Sequence, residues 1–163
     1  MSRKLDLLLV TPPSKDHVFQ ELGREFSGIE PPVWSTLMAT FLGRKGLGVQ
    51  ILDAEAESIG FDQTAQRIVE TDALLTVFVI YGHQPSASTH CMPAGREVAQ
   101  RVRSIAPHLK TLVMGTHASA LPRVTVTEEP YSFVCQGEGP YTVLALVEML
   151  KSGTDKLKSI PGL

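Results

Sequence analysis

The sequence predicts a doubly wound α/β fold, with helices covering both faces of a five-stranded parallel sheet. Five short apolar runs alternate with segments of helical periodicity, and the third run, ALLTVFVIY, is almost free of polar alternation. Strand–helix alternation indicates parallel strands joined by right-handed crossovers, and a continuous apolar run indicates a central strand. Because no GxGxxG follows the first run, we expect the flavodoxin-like order 2-1-3-4-5 in a three-layer α/β/α architecture.

The five apolar runs are the predicted strands, each bounded by polar residues, glycine or proline. They span residues 5–10, 49–52, 73–81, 111–114 and 131–135. Their lengths match those of ordinary strands in globular proteins.

Four segments between or after the strands carry apolar residues at helical spacing, which predicts helices that face the core. The stripes are Val33, Trp34, Leu37, Met38, Phe41 and Leu42; Phe61, Ala65, Ile68 and Val69; Ala94, Val98, Val102 and Ile105; and Val143, Leu144, Val147 and Leu150. Gly46 or Gly48 should end the first helix, Pro107 the third and Gly153 the fourth.

Composition excludes several classes of protein. The 163 residues are enough for one domain with its own core, and 43% hydrophobic with 20% charged residues argues against disorder. A net charge of −2 makes nucleic acid an unexpected partner. No apolar run approaches the roughly 18 residues of a membrane span, and no leader is evident, so we expect a cytoplasmic protein.

Ligands of such folds bind at the carboxyl ends of the strands, where the strand order reverses. The segments there are the long residues 11–32, then GHQPSAST, GTHASALP and QGEGPYT. Three of the four carry glycine at or near their start, and glycine allows close approach of a ligand to the backbone. Together they predict a flat or bulky ligand at one rim.

The sequence lacks the residues that the familiar chemistries of this fold require. The strands do not end in the acidic residues and lysine of a phosphate-accepting receiver, and Pro12 and Pro13 cannot donate amide protons to a phosphate. The stretch GRKGLG is a helix end rather than a nucleotide loop. The sequence has no GxSxG elbow, and the adjacency of His90 and Cys91 is accidental, so nucleophilic catalysis is not indicated. The histidines are scattered, and we expect His17, His83 and His117 at the ligand rim, as hydrogen-bond donors or bystanders rather than as metal ligands.

Read together, these segments resemble the N-terminal cobalamin-binding domain of cobalamin-dependent radical S-adenosylmethionine enzymes. The resemblance covers nearly the whole chain through TPP, PPVWSTLMATFLGRKG, VQILDAE, GTHASALP and QGEGPYT. Matching positions are Pro31, Pro32, Gly46, Asp53, Ala54, Gly115, His117, Pro122, Gly137, Glu138 and Gly139. The chain departs from the family pattern at Met114, Gln136 and Pro140.

The resemblance implies cobalamin as the cofactor, with its own base displaced and no protein histidine on cobalt. An Asp-x-His-x-x-Gly is missing, since Asp16 and His17 are adjacent. Residues 10–13 or 15–19 would approach the lower face of the ring. No residue is expected to act as a catalyst or to ligate the metal.

The resemblance also implies which residues contact the cofactor. They are Thr11, Pro12, Pro13, Tyr81, Gly82, Gln84, Pro85, Gly115, Thr116, His117, Ala118, Ser119, Gly137, Glu138, Gly139 and Thr142. Small side chains after the fourth strand would leave room for the corrin edge, while hydroxyls and backbone amides would bind its propionamide groups.

Two cysteines cannot hold an iron–sulfur cluster. The resemblance therefore implies a parent protein in which residues 1–155 bind cobalamin and residues 156–163 begin a linker to a radical S-adenosylmethionine domain. That domain would hold a 4Fe-4S cluster and S-adenosylmethionine, for methyl transfer or related radical chemistry, and this chain alone would not be catalytic. Two alternatives stay open: a ligand-free interaction or regulatory module, and a flavin- or nucleotide-binding enzyme using rings such as Tyr81, Tyr131 and Tyr141.

Overall fold

A computed structural model describes residues 5–15, 18, 31–82 and 87–163. Within them, five strands form one sheet of order β2-β1-β3-β4-β5, and every neighbouring pair is parallel. The predicted fold class and strand order are confirmed.

The strands are β1 (Leu7–Thr11), β2 (Val49–Asp53), β3 (Leu75–Val79), β4 (Thr111–Met114) and β5 (Phe133–Val134). The helices of the described residues are α1 (Val33–Arg44), α2 (Phe61–Thr71), α3 (Ala87–Ile105), α4 (Thr116–Ala120), α5 (Pro122–Glu128) and α6 (Pro140–Ser152). A single 3-10 turn (Leu157–Ser159) follows.

Alternate residues of the strands enter two separate core clusters, one on each face of the sheet. Leu7 and Leu9 of β1 pack with α1 and α6, whereas Leu8 and Val10 pack with α2 and α3. The central strand β3 is buried along its whole length. This two-sided cover explains why its sequence lacks polar alternation.

Part of the predicted core on α1 is exposed. Val33, Trp34 and Leu37 are 59%, 40% and 57% exposed, and the buried residues of α1 are Ser35, Met38 and Leu42. The apolar stripe of α1 is thus wider than the described residues cover, and the assignment of its outer residues to the core is wrong.

The same correction applies to α3. Its last residue, Ile105, is 54% exposed although it was expected in the core. The helix starts at Ala87, ahead of the apolar stripe that begins at Ala94, and Pro93 lies inside it.

The segment after β4 is helical, although GTHASALP was expected to be a loop. Gly115 O accepts a hydrogen bond from Ser119 N at 2.9 Å, which closes the first turn of α4. Pro122 then begins α5, at a helix position whose amide makes no intrahelical hydrogen bond, so the missing proton of proline costs nothing there.

The C-terminal segment contacts the domain at Ile160 and Gly162. Ile160 is 7% exposed and belongs to the core cluster on the α1/α6 face, and Gln136 N donates to Gly162 O at 2.8 Å. The linker beginning at residue 156 stays a prediction. In the described part of the chain, helices long and apolar enough to cross a membrane are absent.

Candidate functional site

A cavity of about 260 Å³ opens at the carboxyl ends of β1 and β3, where the strand order reverses. Its walls come from both strand ends and from the first turn of α1. They are Thr11, Pro31, Pro32, Val33, Trp34, Ser35, Val79, Tyr81 and Gly82. This is the crevice in which open α/β sheets bind their ligands.

Two aromatic rings meet in the wall of this cavity. Trp34 and Tyr81 stack with ring centroids 4.5 Å apart and planes inclined by 20°. The Tyr81 hydroxyl is buried without a hydrogen-bond partner among the described residues. Aromatic stacking is worth about 0.5–1.5 kcal/mol, whereas a buried hydroxyl without a partner costs about 1–3 kcal/mol. The packing of the Tyr81 ring against the core cluster of the α1/α6 face adds to the stacking and offsets the cost of the unpartnered hydroxyl.

A second orphaned hydroxyl lines the same cavity. Ser35 is 1% exposed, and within the described part of the chain its Oγ has no partner. Buried polar groups in native proteins normally have one. Since a hydroxyl can both donate and accept, the pair formed by Ser35 and Tyr81 suits an uncharged ligand with polar groups at its edge.

The ionisation of Tyr81 gives a test of its burial. Burial, followed by the nearby Cys135 and Glu138, raises its pKa from 10.0 to about 12. Because the neutral phenol is favoured in the folded state, Tyr81 contributes stability below pH 10 that is lost as pH rises to 12. We expect tyrosinate absorbance of the wild type minus that of Tyr81→Phe to appear only near pH 12. A difference already complete at pH 10 would contradict the buried position.

The ends of β3 and β4 are joined by a compact hydrogen-bond network. The Ser88 hydroxyl donates to Ile80 O and accepts from His117 N at 3.1 Å, and His117 Nδ1 lies 3.0 Å from Thr89 Oγ1. Gly115 has φ +150°, and a Cβ there would lie 1.9 Å from Ile80 O. The position that a Cβ would take at Gly115 is thus occupied by the chain itself, and contact between the Gly115 backbone and a ligand stays a prediction.

The loops after β4 and β5 are held together. Ser119 Oγ accepts a hydrogen bond from Gly137 N at 2.8 Å, and the next residue, Glu138, is exposed. Gly139 takes a left-handed conformation at the start of α6, where a Cβ would meet Met114 Cε at 2.7 Å. The backbone around Gly137 is therefore presented at the rim in a fixed position.

Two predicted contact residues face inward instead. Ala118 is completely buried. The hydroxyl of Thr142, itself 8% exposed, donates to Pro161 O at 2.8 Å. In this structure both are engaged within the protein, and their contact with a ligand stays a prediction.

Glu55, which follows β2, holds the segment after β1, and the motif analysis did not single it out. Its Oε1 accepts hydrogen bonds from the backbone amides of Ser14 and Lys15, the latter at 2.5 Å, and from Ser14 Oγ at 3.1 Å. Glu55 therefore fixes the segment that leaves β1, next to Pro12 and Pro13. The sequence marked this residue only within the stretch VQILDAE.

The remaining predicted site residues lie in different parts of the chain. Gln84, Pro85, His17 and His83 lie outside the described residues. Thr11 ends β1, and Thr116 and His117 begin α4. The described residues contain no group of three or more His, Cys, Asp or Glu side chains suited to a metal ion.

The aromatic residues expected for a flavin slot are not arranged as one. Tyr131 is buried in the core with its ring centroid 5.2 Å from that of Phe78. Tyr141, on α6, is 73% exposed. The ring beside Tyr81 is Trp34, and the direct contact between these two leaves no gap for a third flat ring.

Comparison with known proteins adds a family and several structures. The family model described as the B12 binding domain matches residues 21–147. The radical S-adenosylmethionine methyltransferase TsrM from Kitasatospora setae, solved with cobalamin and a [4Fe-4S] cluster, is 20% identical, with a TM-score of 0.71 over 99% of this chain and 27% of that chain. A second TsrM structure, with tryptophan substrate and a SAM analog, gives 19% identity and the same TM-score over 99% of this chain and 28% of that one.

Two further structures are similar. The cobalamin-dependent S-adenosylmethionine radical enzyme OxsB is 16% identical, with a TM-score of 0.59 over 97% of this chain and 20% of that chain. A pilus assembly-related protein from Burkholderia pseudomallei is 14% identical, with a TM-score of 0.51 over 93% of this chain and 91% of that chain. Among curated proteins, none matches. At these identities the likeness shows the fold, and the chain spans about a quarter of the length of TsrM.

Proposed function

The chain belongs to the B12-binding domain family, and from this premise we propose that it holds cobalamin across the carboxyl edge of its sheet. In this proposal the lower base is off the cobalt, the chain supplies no histidine to the metal, and the cofactor faces a radical S-adenosylmethionine domain of the same parent chain. S-adenosylmethionine and a 4Fe-4S cluster would be held outside these residues, and the reaction would be methyl transfer or related radical chemistry.

The cavity at the strand reversal is the observation that carries this proposal. It combines apolar walls with two buried hydroxyls that lack partners, those of Ser35 and Tyr81. A corrinoid presents a wide apolar ring with uncharged amide groups at its edge. Neutral polar groups set in an apolar wall suit such a ligand better than a phosphate or a metal ion.

The residues that would hold the cofactor come from several strand ends. Thr11, Tyr81 and Gly82 line the cavity, and the exposed Glu138 carboxylate at the neighbouring rim could accept amide protons. When bound, cobalamin supplies a cobalt centre that can carry a methyl group. The chain itself binds and orients the ring, and these roles need no turnover by its own side chains.

Reconstitution tests the proposal. The chain is incubated with hydroxocobalamin and desalted, and cobalt per chain and the absorbance spectrum are measured. We expect about one cobalt per chain and a spectrum with the base off the metal, since small-molecule sites are few per protein. Ser35→Leu, which fills the cavity, should lower retention, whereas Ser104→Leu on the exposed side of α3 should not.

Three results would count against it. Failure to retain cobalt, together with no saturable binding in equilibrium dialysis at micromolar protein, would favour a ligand-free module. A spectrum with the base on the metal would contradict the displaced base. Equal retention by both serine variants would place the cofactor away from this cavity.

A further inference from the structure

We propose that Tyr81 sets the selectivity of this chain between corrinoids that carry a nucleotide base and corrinoids that lack one. The inference rests on the proposed function, because it assumes that a corrinoid lies over this rim. It concerns the cavity below the ring, which the Tyr81 side chain partly fills.

The size of the cavity is the first step. At about 260 Å³ it falls just below the roughly 300 Å³ at which pockets begin to enclose drug-sized ligands. A benzimidazole base with its ribose is of about that size. The base can enter between α1 and the sheet only if the Tyr81 ring leaves the wall and adds its own volume to the space.

The surroundings of Tyr81 are the second step. Within the described residues its hydroxyl has no hydrogen-bond partner, and its ring packs against the core cluster of the α1/α6 face and stacks on Trp34, itself 40% exposed. A rotation of Tyr81 would expose the hydroxyl to water and leave the face of Trp34 open. A flat base could then stack on Trp34 in its place.

The chemistry of the vacated space is the third step. Ser35 lies in the same wall and is 1% exposed, and its Oγ has no hydrogen-bond partner among the described residues. A heteroaromatic nitrogen is a suitable acceptor for this hydroxyl. The cavity therefore suits a base once Tyr81 has moved, and a corrinoid without a base binds with no movement of Tyr81.

The displacement has a measurable consequence for affinity. A ligand that binds only the open arrangement loses apparent affinity in proportion to the fraction of molecules that is closed. A base-free corrinoid accepts both arrangements, so its affinity is independent of that fraction. The ratio of the two dissociation constants reports the position of Tyr81 without any measurement of activity.

Equilibrium dialysis with absorbance detection measures this ratio on the full chain for hydroxocobalamin and for cobinamide, which has no base. We expect the wild type to bind cobinamide at least as tightly as cobalamin. Tyr81→Ala should shift the ratio about tenfold towards cobalamin, because the ring no longer competes with the base. Tyr81→Phe should shift it about fivefold towards cobinamide, because the closed ring no longer carries an orphaned hydroxyl.

Tyr141→Ala is the matched control, since Tyr141 is exposed on α6 and does not line the cavity; its ratio should equal that of the wild type. A ratio within threefold of the wild type in both Tyr81 variants would overturn the inference while leaving cobalamin binding intact. Tyr81→Phe keeps the ring, so this arm decides if Tyr81→Ala fails to fold. Binding of neither corrinoid by the wild type would instead defeat the proposed function.

Discussion

Replacing Gly115 with alanine is expected to lower the free energy of unfolding by about 3–5 kcal/mol. Gly115 has φ +150°, a conformation that side chains rarely adopt, and a Cβ would lie 1.9 Å from Ile80 O. The obstacle is backbone just after a buried strand, and Ser88 Oγ lies beside it at 3.0 Å from the added Cβ. Ile80 O cannot withdraw without moving the end of β3 away from β4, and Ser88 Oγ can move only by losing its hydrogen bonds to Ile80 O and His117 N. The midpoint temperature of thermal unfolding, measured by circular dichroism, should fall by roughly 6–20 °C.

Substitutions at two other glycines separate the conformational cost of Gly115→Ala from the cost of its clash with Ile80 O. Gly137 has φ +93° with open space around it, so Gly137→Ala should lose only the conformational part, about 1–2 kcal/mol. Gly43 lies inside α1 with nothing within 4 Å of an added Cβ, and Gly43→Ala should gain up to about 1 kcal/mol. If Gly115→Ala cost no more than Gly137→Ala, the close approach to Ile80 O would be disproved.

The sheet was predictable because its strands obey a local rule. A central strand covered on both faces needs an uninterrupted apolar run, and β3 has one. Alternation with helical stripes then leaves few topologies, and the observed order is among them. The match to the B12-binding domain family confirms cobalamin, the cofactor that the family resemblance implied.

The wall of the cavity was not predictable, because it depends on which residues meet across the fold. Trp34 has the spacing of a core residue, yet at 40% exposure it forms the outer wall against Tyr81. Gly115 fits the pattern of a ligand-facing glycine, but its neighbour is Ile80 O, 35 positions earlier in the chain. Periodicity describes one helix or strand at a time and contains no information on these distant partners.

Glu55 is another residue whose partners are distant in the sequence, and its contacts have a consequence for binding. Its carboxylate holds the amides of Ser14 and Lys15, 41 and 40 positions away. Two proline residues precede this segment and donate no amide protons, so Glu55 supplies the hydrogen bonds that a regular turn would otherwise provide. The segment lies directly after β1, whose last residue, Thr11, lines the cavity, and in the proposed function it would form one side of the corrinoid site.

Glu55→Ala is therefore expected to weaken cobalamin binding roughly 30- to 150-fold, because losing hydrogen bonds to a charged group costs about 2–3 kcal/mol. Equilibrium dialysis measures the affinity, and hydrogen exchange at Ser14 and Lys15 should accelerate in the same variant. Glu57→Ala is the matched control. Its carboxylate pairs with Arg67 on the surface at 41% side-chain exposure, and such pairs contribute about 0–1 kcal/mol. Faster exchange with unchanged affinity would show that the segment after β1 lies outside the binding site.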